Sequence, residues 1–142
     1  MANELEHNIF GKMYYDSKRK NWEGRVCLDS EHFVDVTISI EDCDVQTVFN
    51  MVEQTFNHIR GNERTIRNKT AGELLDTHNE VWNEGEAIDA NTFSNRIKLE
   101  GILFFCDGNA QLYYNDDDIF WGHTIAVGVS VLGNFQDAQI YG

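Results

Sequence analysis

The sequence predicts an α+β fold: a mainly antiparallel sheet of six to seven strands, in the order β-β-β-α-α-(α)-β-β-β-β, with helices packed on one face. Three observations carry this expectation. Apolar and polar residues alternate in three short runs between Ile9 and Ile40. From Val45 the apolar period becomes that of a helix, and from Lys98 the alternation returns. Strands grouped before and after helices, without βαβ alternation, mean α+β.

Taken in order, residues 1–8 are polar and acidic and read as a loose tail. Ile9 to Tyr15 is a strand, with Ile9, Gly11, Met13 and Tyr15 on one face. Asp16 to Asn21 is a polar turn. Trp22 to Leu28 follows, with Trp22, Gly24, Val26 and Leu28 together. Phe33 to Ile40 places Val34, Val36, Ile38 and Ile40 inside. Strands this closely spaced imply an antiparallel meander with one wet face.

Val45, Val48, Phe49, Val52, Phe56 and Ile59 then form a helical stripe, with Asp44 as N-cap and Gly61 as the C-terminal stop. Asn62 to Asn83 is helical in two pieces, the second capped by Thr70 with Glu73 in a capping box. Leu74, Leu75, Val81 and Trp82 supply its buried face. His78 lies there too, and a lone histidine on such a helix is more often satisfied by a neighbour than used as a ligand. Asn83 to Asp89 is an acidic loop, and Asp89 to Ile97 a short helix carrying Phe93.

The strand Lys98 to Cys106 contains the run Ile102-Leu103-Phe104-Phe105, which predicts a central strand covered on both faces. Asp107-Gly108 signals a hairpin to a strand from Ala110 to Asn115. Thr124 to Leu132 has the cleanest alternation in the chain, with His123, Ile125, Val127, Val129 and Val131 on one face. A turn at Gly133-Asn134 leads to a last strand around Ala138 to Tyr141.

A chain of 142 residues suits one domain over 1–142 with a core of its own. It has no proline and no apolar run near the ~18 residues of a membrane span, and its polar start is the reverse of a secretion signal. Cys27, Cys43 and Cys106 show no CxxC spacing, which argues against a disulfide framework and for a reducing compartment. The expected location is cytoplasmic, with no membrane contact.

Net charge is −13 and unevenly spread. Residues 1–69 hold nine Lys/Arg against twelve Asp/Glu, or −3; residues 70–142 hold two against twelve, or −10. An anionic surface of this kind repels nucleic acid and attracts basic partners or cations, although acidity also serves solubility.

The candidate site is the stretch ahead of the cleanest strand. Asp116, Asp117, Asp118, Phe120, Trp121 and His123 are the candidate partner-binding residues: three acids, two large aromatics and one imidazole. Asp116, Asp118 and His123 are also weak candidates for metal ligands, since carboxylates with an imidazole suit a divalent cation. Neither an EF-hand loop nor HExxH supports them, and three acids in a hairpin loop are usually a solvated turn. A Cys106–His123 nucleophile pair lacks a third, orienting residue. P-loop, GxGxxG and GxSxG motifs are absent, and no cofactor is implied.

Phe10-Gly11, Trp22-Glu23-Gly24, Leu74-Leu75 with Asn79 and Trp82, Phe93, Phe120-Trp121-Gly122-His123-Thr124-Ile125 and the closing Asp137-Ala138-Gln139-Ile140-Tyr141-Gly142 form a further pattern. Through them the chain resembles the bacterial family called domain of unknown function 2262, from about Phe10 to Gly142. The resemblance implies a bacterial, cytosolic, single α+β domain and brings no activity with it.

Two functions are compatible with these residues. The first is a non-catalytic acidic protein-binding module, of inhibitor or immunity type, engaging a basic partner. The alternative is a small metal-assisted hydrolase using Asp116, Asp118 and His123.

Overall fold

A computed structural model describes residues 3–28 and 32–141. Four strands come first: β1 (Glu4–His7), β2 (Gly11–Asp16), β3 (Asn21–Cys27) and β4 (Phe33–Ser39). Helix α1 (Val45–Thr77) follows, continues through a π-helical turn (His78–Trp82), and is succeeded by α2 (Ala90–Arg96). The chain closes with β5 (Lys98–Phe104), β6 (Ala110–Asn115), β7 (Thr124–Val129) and β8 (Phe135–Tyr141).

The strands form one eight-stranded sheet in chain order, β1 to β8. Neighbours are antiparallel except β4 and β5, which pair in parallel from Asp35↔Gly101 to Ile38↔Phe104. The helices between them carry the chain back along the sheet, so β5 re-enters in the direction of β4.

This corrects the expected architecture of six to seven strands in the order β-β-β-α-α-(α)-β-β-β-β. The sheet has eight strands, is mixed, and has four strands before the helices. The missed strand is β1, expected as part of a loose tail. It is a short polar edge strand with one apolar residue, Leu5, set opposite Met13, and so lacks a visible alternation. His7 anchors its end. Its Nδ1 accepts from the backbone N–H of Ile9 and Phe10 (3.0 and 3.2 Å), and its Nε2 meets Glu53 Oε1 at 2.9 Å.

Gly61 does not stop α1. The buried stripe runs on through Ile59, Ile66, Thr70, Ala71 and Leu74, and this packing outweighs the cost of about 1 kcal/mol for a helical glycine. Thr70 caps nothing; its hydroxyl donates back to Ile66 O at 2.9 Å within the same helix. Asp44 is the N-cap, accepting from Thr47 N at 3.0 Å.

One sheet face packs against the helices. Met13, Val36, Ile38, Ile102, Phe104, Leu112, Ile125 and Val127 meet Val52, Phe56, Ile59 and Ile66 in a single core. The opposite face is open, so β5 is central but covered on one side only: Leu103 is half-buried and Phe105 exposed beyond its end. Two hairpin ends dock on α1 through glycines with positive φ. A Cβ on Gly108 would lie 2.8 Å from Met51 and Val131, and one on Gly133 2.8 Å from His58 Cβ.

Cys43, ahead of α1, and Cys106, after β5, form a disulfide with Cα atoms 6.2 Å apart. This corrects the reading of the cysteine spacing, which argued against disulfides; the partners are 63 residues apart and only the crossover brings them together. No helix among the described residues is long and apolar enough to cross a membrane.

Candidate functional site

The loop from Asp116 to His123 joins β6 to β7 and is built on one buried carboxylate. Asp116 is 3% exposed. Its Oδ1 accepts from Asp118 N (3.1 Å), and its Oδ2 from Phe120 N (2.9 Å) and Gly122 N (3.0 Å). That clamp holds three non-glycine residues in the left-handed region: Asp117 (φ 49°), Asp118 (62°) and Trp121 (58°). Arg96 braces the outside, with Nε donating to Asp117 Oδ2 at 2.9 Å and Nη2 to Asp117 O at 2.6 Å.

The twist of the loop separates the two adjacent aromatics. Phe120 is fully buried, with ring centroids 5.7 Å from Trp82 and 5.8 Å from Phe93. Trp121 is 54% exposed and lies against Trp82 at 4.6 Å. His123 packs on the same indole at 5.0 Å, and its Nδ1 lies 2.6 Å from Phe120 O.

The facing wall is the π-helical turn at the end of α1. Such turns widen a helix and often mark functional positions. Here the turn presents His78 and Trp82 to the loop. His78 is 4% exposed and meets Phe93 and Phe120 edge to face. Its Nδ1 lies 2.8 Å from Asn79 Oδ1. The Asn79 amide is oriented by the Ile88 backbone, accepting from Ile88 N on Oδ1 and donating from Nδ2 to Ile88 O, both at 3.0 Å. Oδ1 therefore faces His78, and Nδ1 of His78 must carry the proton.

Between the two walls lies a pocket of about 420 Å³. Trp82, Trp121, Ile88 and Ile119 give it apolar surface, and Glu84, Glu86 and Asp118 line it with carboxylates. Arg96 also borders it, held by Asp117. Glu84 is left-handed as well (φ 49°), followed by Gly85 at 95°. Asp89, which follows Ile88 of the lining, caps α2 by accepting from Thr92 N, which holds its carboxyl below the ordinary 3.8.

Of the residues singled out from sequence, the structure brings Asp118 and Trp121 to the pocket. Asp117 braces Arg96 outside it, and His123 backs Trp82. Asp116 and Phe120 lie beneath the surface and shape the loop. Asp116, Asp118 and His123 do not gather around one point: among the described residues no group of three or more His, Cys, Asp or Glu is placed to hold a metal ion. Cys106 and His123 lie beyond opposite ends of β6, roughly 20 Å of strand apart, and Cys106 is bonded to Cys43. The sequence did not mark His78, Glu84, Glu86 or Arg96 as site residues. The one signal for that wall was the place of Asn79 and Trp82 in the family pattern.

A larger groove of about 570 Å³ crosses the open sheet face past Asp35, Gln111, Tyr113 and Tyr141. Burial, with the nearby Tyr141 phenol, raises the Tyr113 hydroxyl above its ordinary value. Every residue along this groove is exposed or half-buried, so it lacks the fixed, enclosed polar group that His78 gives the smaller pocket.

Fold and site together define an α+β domain with one mixed sheet, a long crossover helix and an acidic, aromatic-walled pocket at the end of that helix. The chain belongs to the family domain of unknown function 2262, described as an uncharacterized protein conserved in bacteria, whose model matches residues 7–140. No curated protein matches it, and no solved structure does.

Proposed function

We propose that the protein is a non-catalytic binding module that engages a basic partner, with a cationic side chain of that partner seated in the pocket between the π-helical turn and the Asp116–His123 loop. The observation that carries this is the pairing of two indoles, Trp82 and Trp121, with three carboxylates, Glu84, Glu86 and Asp118, around one cavity. Indole faces attract cations by about 0.5–2 kcal/mol, and carboxylates at the rim add Coulombic attraction. Arg96 offsets little of this, because Asp117 already neutralises it. The net charge of −13 draws basic partners from a distance.

The metal-assisted hydrolase on Asp116, Asp118 and His123 has less support. Both oxygens of Asp116 already accept backbone N–H groups, and Nδ1 of His123 lies against Phe120 O.

Titration with a tetralysine peptide, followed by amide NMR at low and raised salt, tests the proposal. Saturable shifts at Trp82, Glu84 and Trp121 are expected, weakening with salt and absent in Trp121→Ala. A peptide that leaves those signals unmoved at low salt would overturn it.

A further inference from the structure

We infer that the pocket selects cations that carry N–H groups, a primary ammonium or a guanidinium, over fully alkylated ammonium ions, and that His78 is the residue that makes the selection. This rests on the cation-binding reading above and adds to it the chemical class of the ligand. The observation is the pairing of buried His78 with half-buried Asn79. Asn79 has its amide orientation fixed by two bonds to the Ile88 backbone, and its Oδ1 accepts from His78 Nδ1. In the neutral ring the remaining nitrogen, Nε2, carries a lone pair and no proton.

His78 is 96% removed from solvent by its 4% exposure, yet it lines the pocket. No hydrogen-bond partner of Nε2 is present among the described residues, so a single acceptor is left for whatever enters. The edge-to-face contacts with Phe93 and Phe120 keep the ring from turning away. An acceptor that lines the pocket is satisfied by water or by a ligand N–H, and is left without a partner by an alkyl group that displaces that water. Trp82 and Trp121 attract any organic cation through their faces and do not distinguish an ammonium from its tetramethyl analogue in this way. The carboxylates of Glu84, Glu86 and Asp118 also favour N–H donors, but they sit on exposed residues where water competes.

The experiment compares n-butylammonium, methylguanidinium and tetramethylammonium as chloride salts at matched ionic strength, on wild-type protein and on His78→Phe. The phenyl ring keeps the packing against Phe93 and Phe120 and removes the acceptor. Wild type should bind the two N–H cations roughly tenfold more tightly than tetramethylammonium, the order of one hydrogen bond to a charged group. In His78→Phe that preference should vanish while tetramethylammonium binding persists. On wild type alone, ¹⁵N NMR of the imidazole should place the proton on Nδ1 and move the Nε2 signal on adding butylammonium. This second readout stands if the variant fails to fold. Equal binding of all three cations to wild type, or a proton found on Nε2, overturns the inference and leaves the binding-module proposal intact. Absence of binding by any of the three defeats the proposed function itself.

Discussion

Replacement of Asp116 tests how the site is held together. Three residues of its loop, Asp117, Asp118 and Trp121, are left-handed, at about 1 kcal/mol each, or roughly 3 kcal/mol in all. Against this stand three charge-assisted hydrogen bonds to one carboxylate at 2.9–3.1 Å, each contributing about 1.5–3 kcal/mol. The bonds win, and the loop stays closed. Asp116→Ala removes all three and leaves the amide of Phe120 buried without a partner. A loss of about 3–5 kcal/mol is expected, a large share of a typical domain's stability and a fall of about 10–15 °C in Tm. Asp116→Asn keeps one oxygen for Phe120 and Gly122 but turns an N–H₂ toward the amide of Asp118, so about 2 kcal/mol is expected. Urea denaturation followed by tryptophan fluorescence reads both values. The measurement is made with a chelator present and repeated without it. A loss below about 1 kcal/mol for Asp116→Ala would refute the clamp. A loss seen only when divalent metal is supplied would return Asp116 to the role of a cation ligand.

Two further measurements address the rest of the fold. Reducing Cys43–Cys106, or replacing both by serine, should lower stability by about 4 kcal/mol, the chain-entropy value for a 63-residue loop, read from urea midpoints with and without dithiothreitol. Midpoints that do not move would mean that the bond is not closed in solution. Tyr114 is buried and its hydroxyl donates to Glu63 at 2.9 Å; burial first, then the Glu63 charge, pushes its pKa well above 10.0. A raised folded-state value stabilises fully below the unfolded pKa and is lost as pH rises through the folded one. Wild-type stability should therefore fall above about pH 10, and Tyr114→Phe should fall less steeply over the same range; parallel curves would count against that origin.

What the sequence makes legible follows from the range of the forces. Thr124 to Val129 reads as a strand because one wet face and one buried face impose period two on neighbouring residues. Ala110 to Asn115 reads equally well, aided by Asp107-Gly108. β1 is invisible because an edge strand needs only one apolar residue, and Glu4 and Glu6 look like a tail. Gly61 reads as a stop because local propensity is all the sequence shows, whereas Ile66 and Leu74 reach a core assembled from distant strands. The Cys43–Cys106 bond is hidden for the same reason, since the parallel pairing of β4 with β5 brings the two residues together. The acidic loop could be found as a corner of interest. Its division into buried Asp116 and Phe120 and exposed Asp118 and Trp121 could not, because left-handed residues break the alternation that would assign faces.

The places where local rules fail are themselves informative. Six non-glycine residues among those described have positive φ. Lys20 and Asp42 lie in turns between elements. Of the remaining four, Glu84, Asp118 and Trp121 line the small pocket, and Asp117 holds the arginine at its edge. The π-helical turn borders the same cavity, although α1 is regular for 33 residues before it. A sequence selected for stability alone would relax such positions with glycine or an ordinary helix cap. Strain of this kind persists where the surrounding structure over-determines it, and it clusters at functional sites. The open-face groove is larger, yet none of the left-handed residues lines it. The inference runs from the outliers to the site. Replacing Asp118 by glycine should accordingly stabilise the domain by up to about 1 kcal/mol, because glycine accepts φ of 62° without penalty, while weakening cation binding by removing one carboxylate. Denaturation and butylammonium titration of the same variant read both effects. A variant that gains stability and binds as well as wild type would separate the strain from the pocket and leave it without a function there.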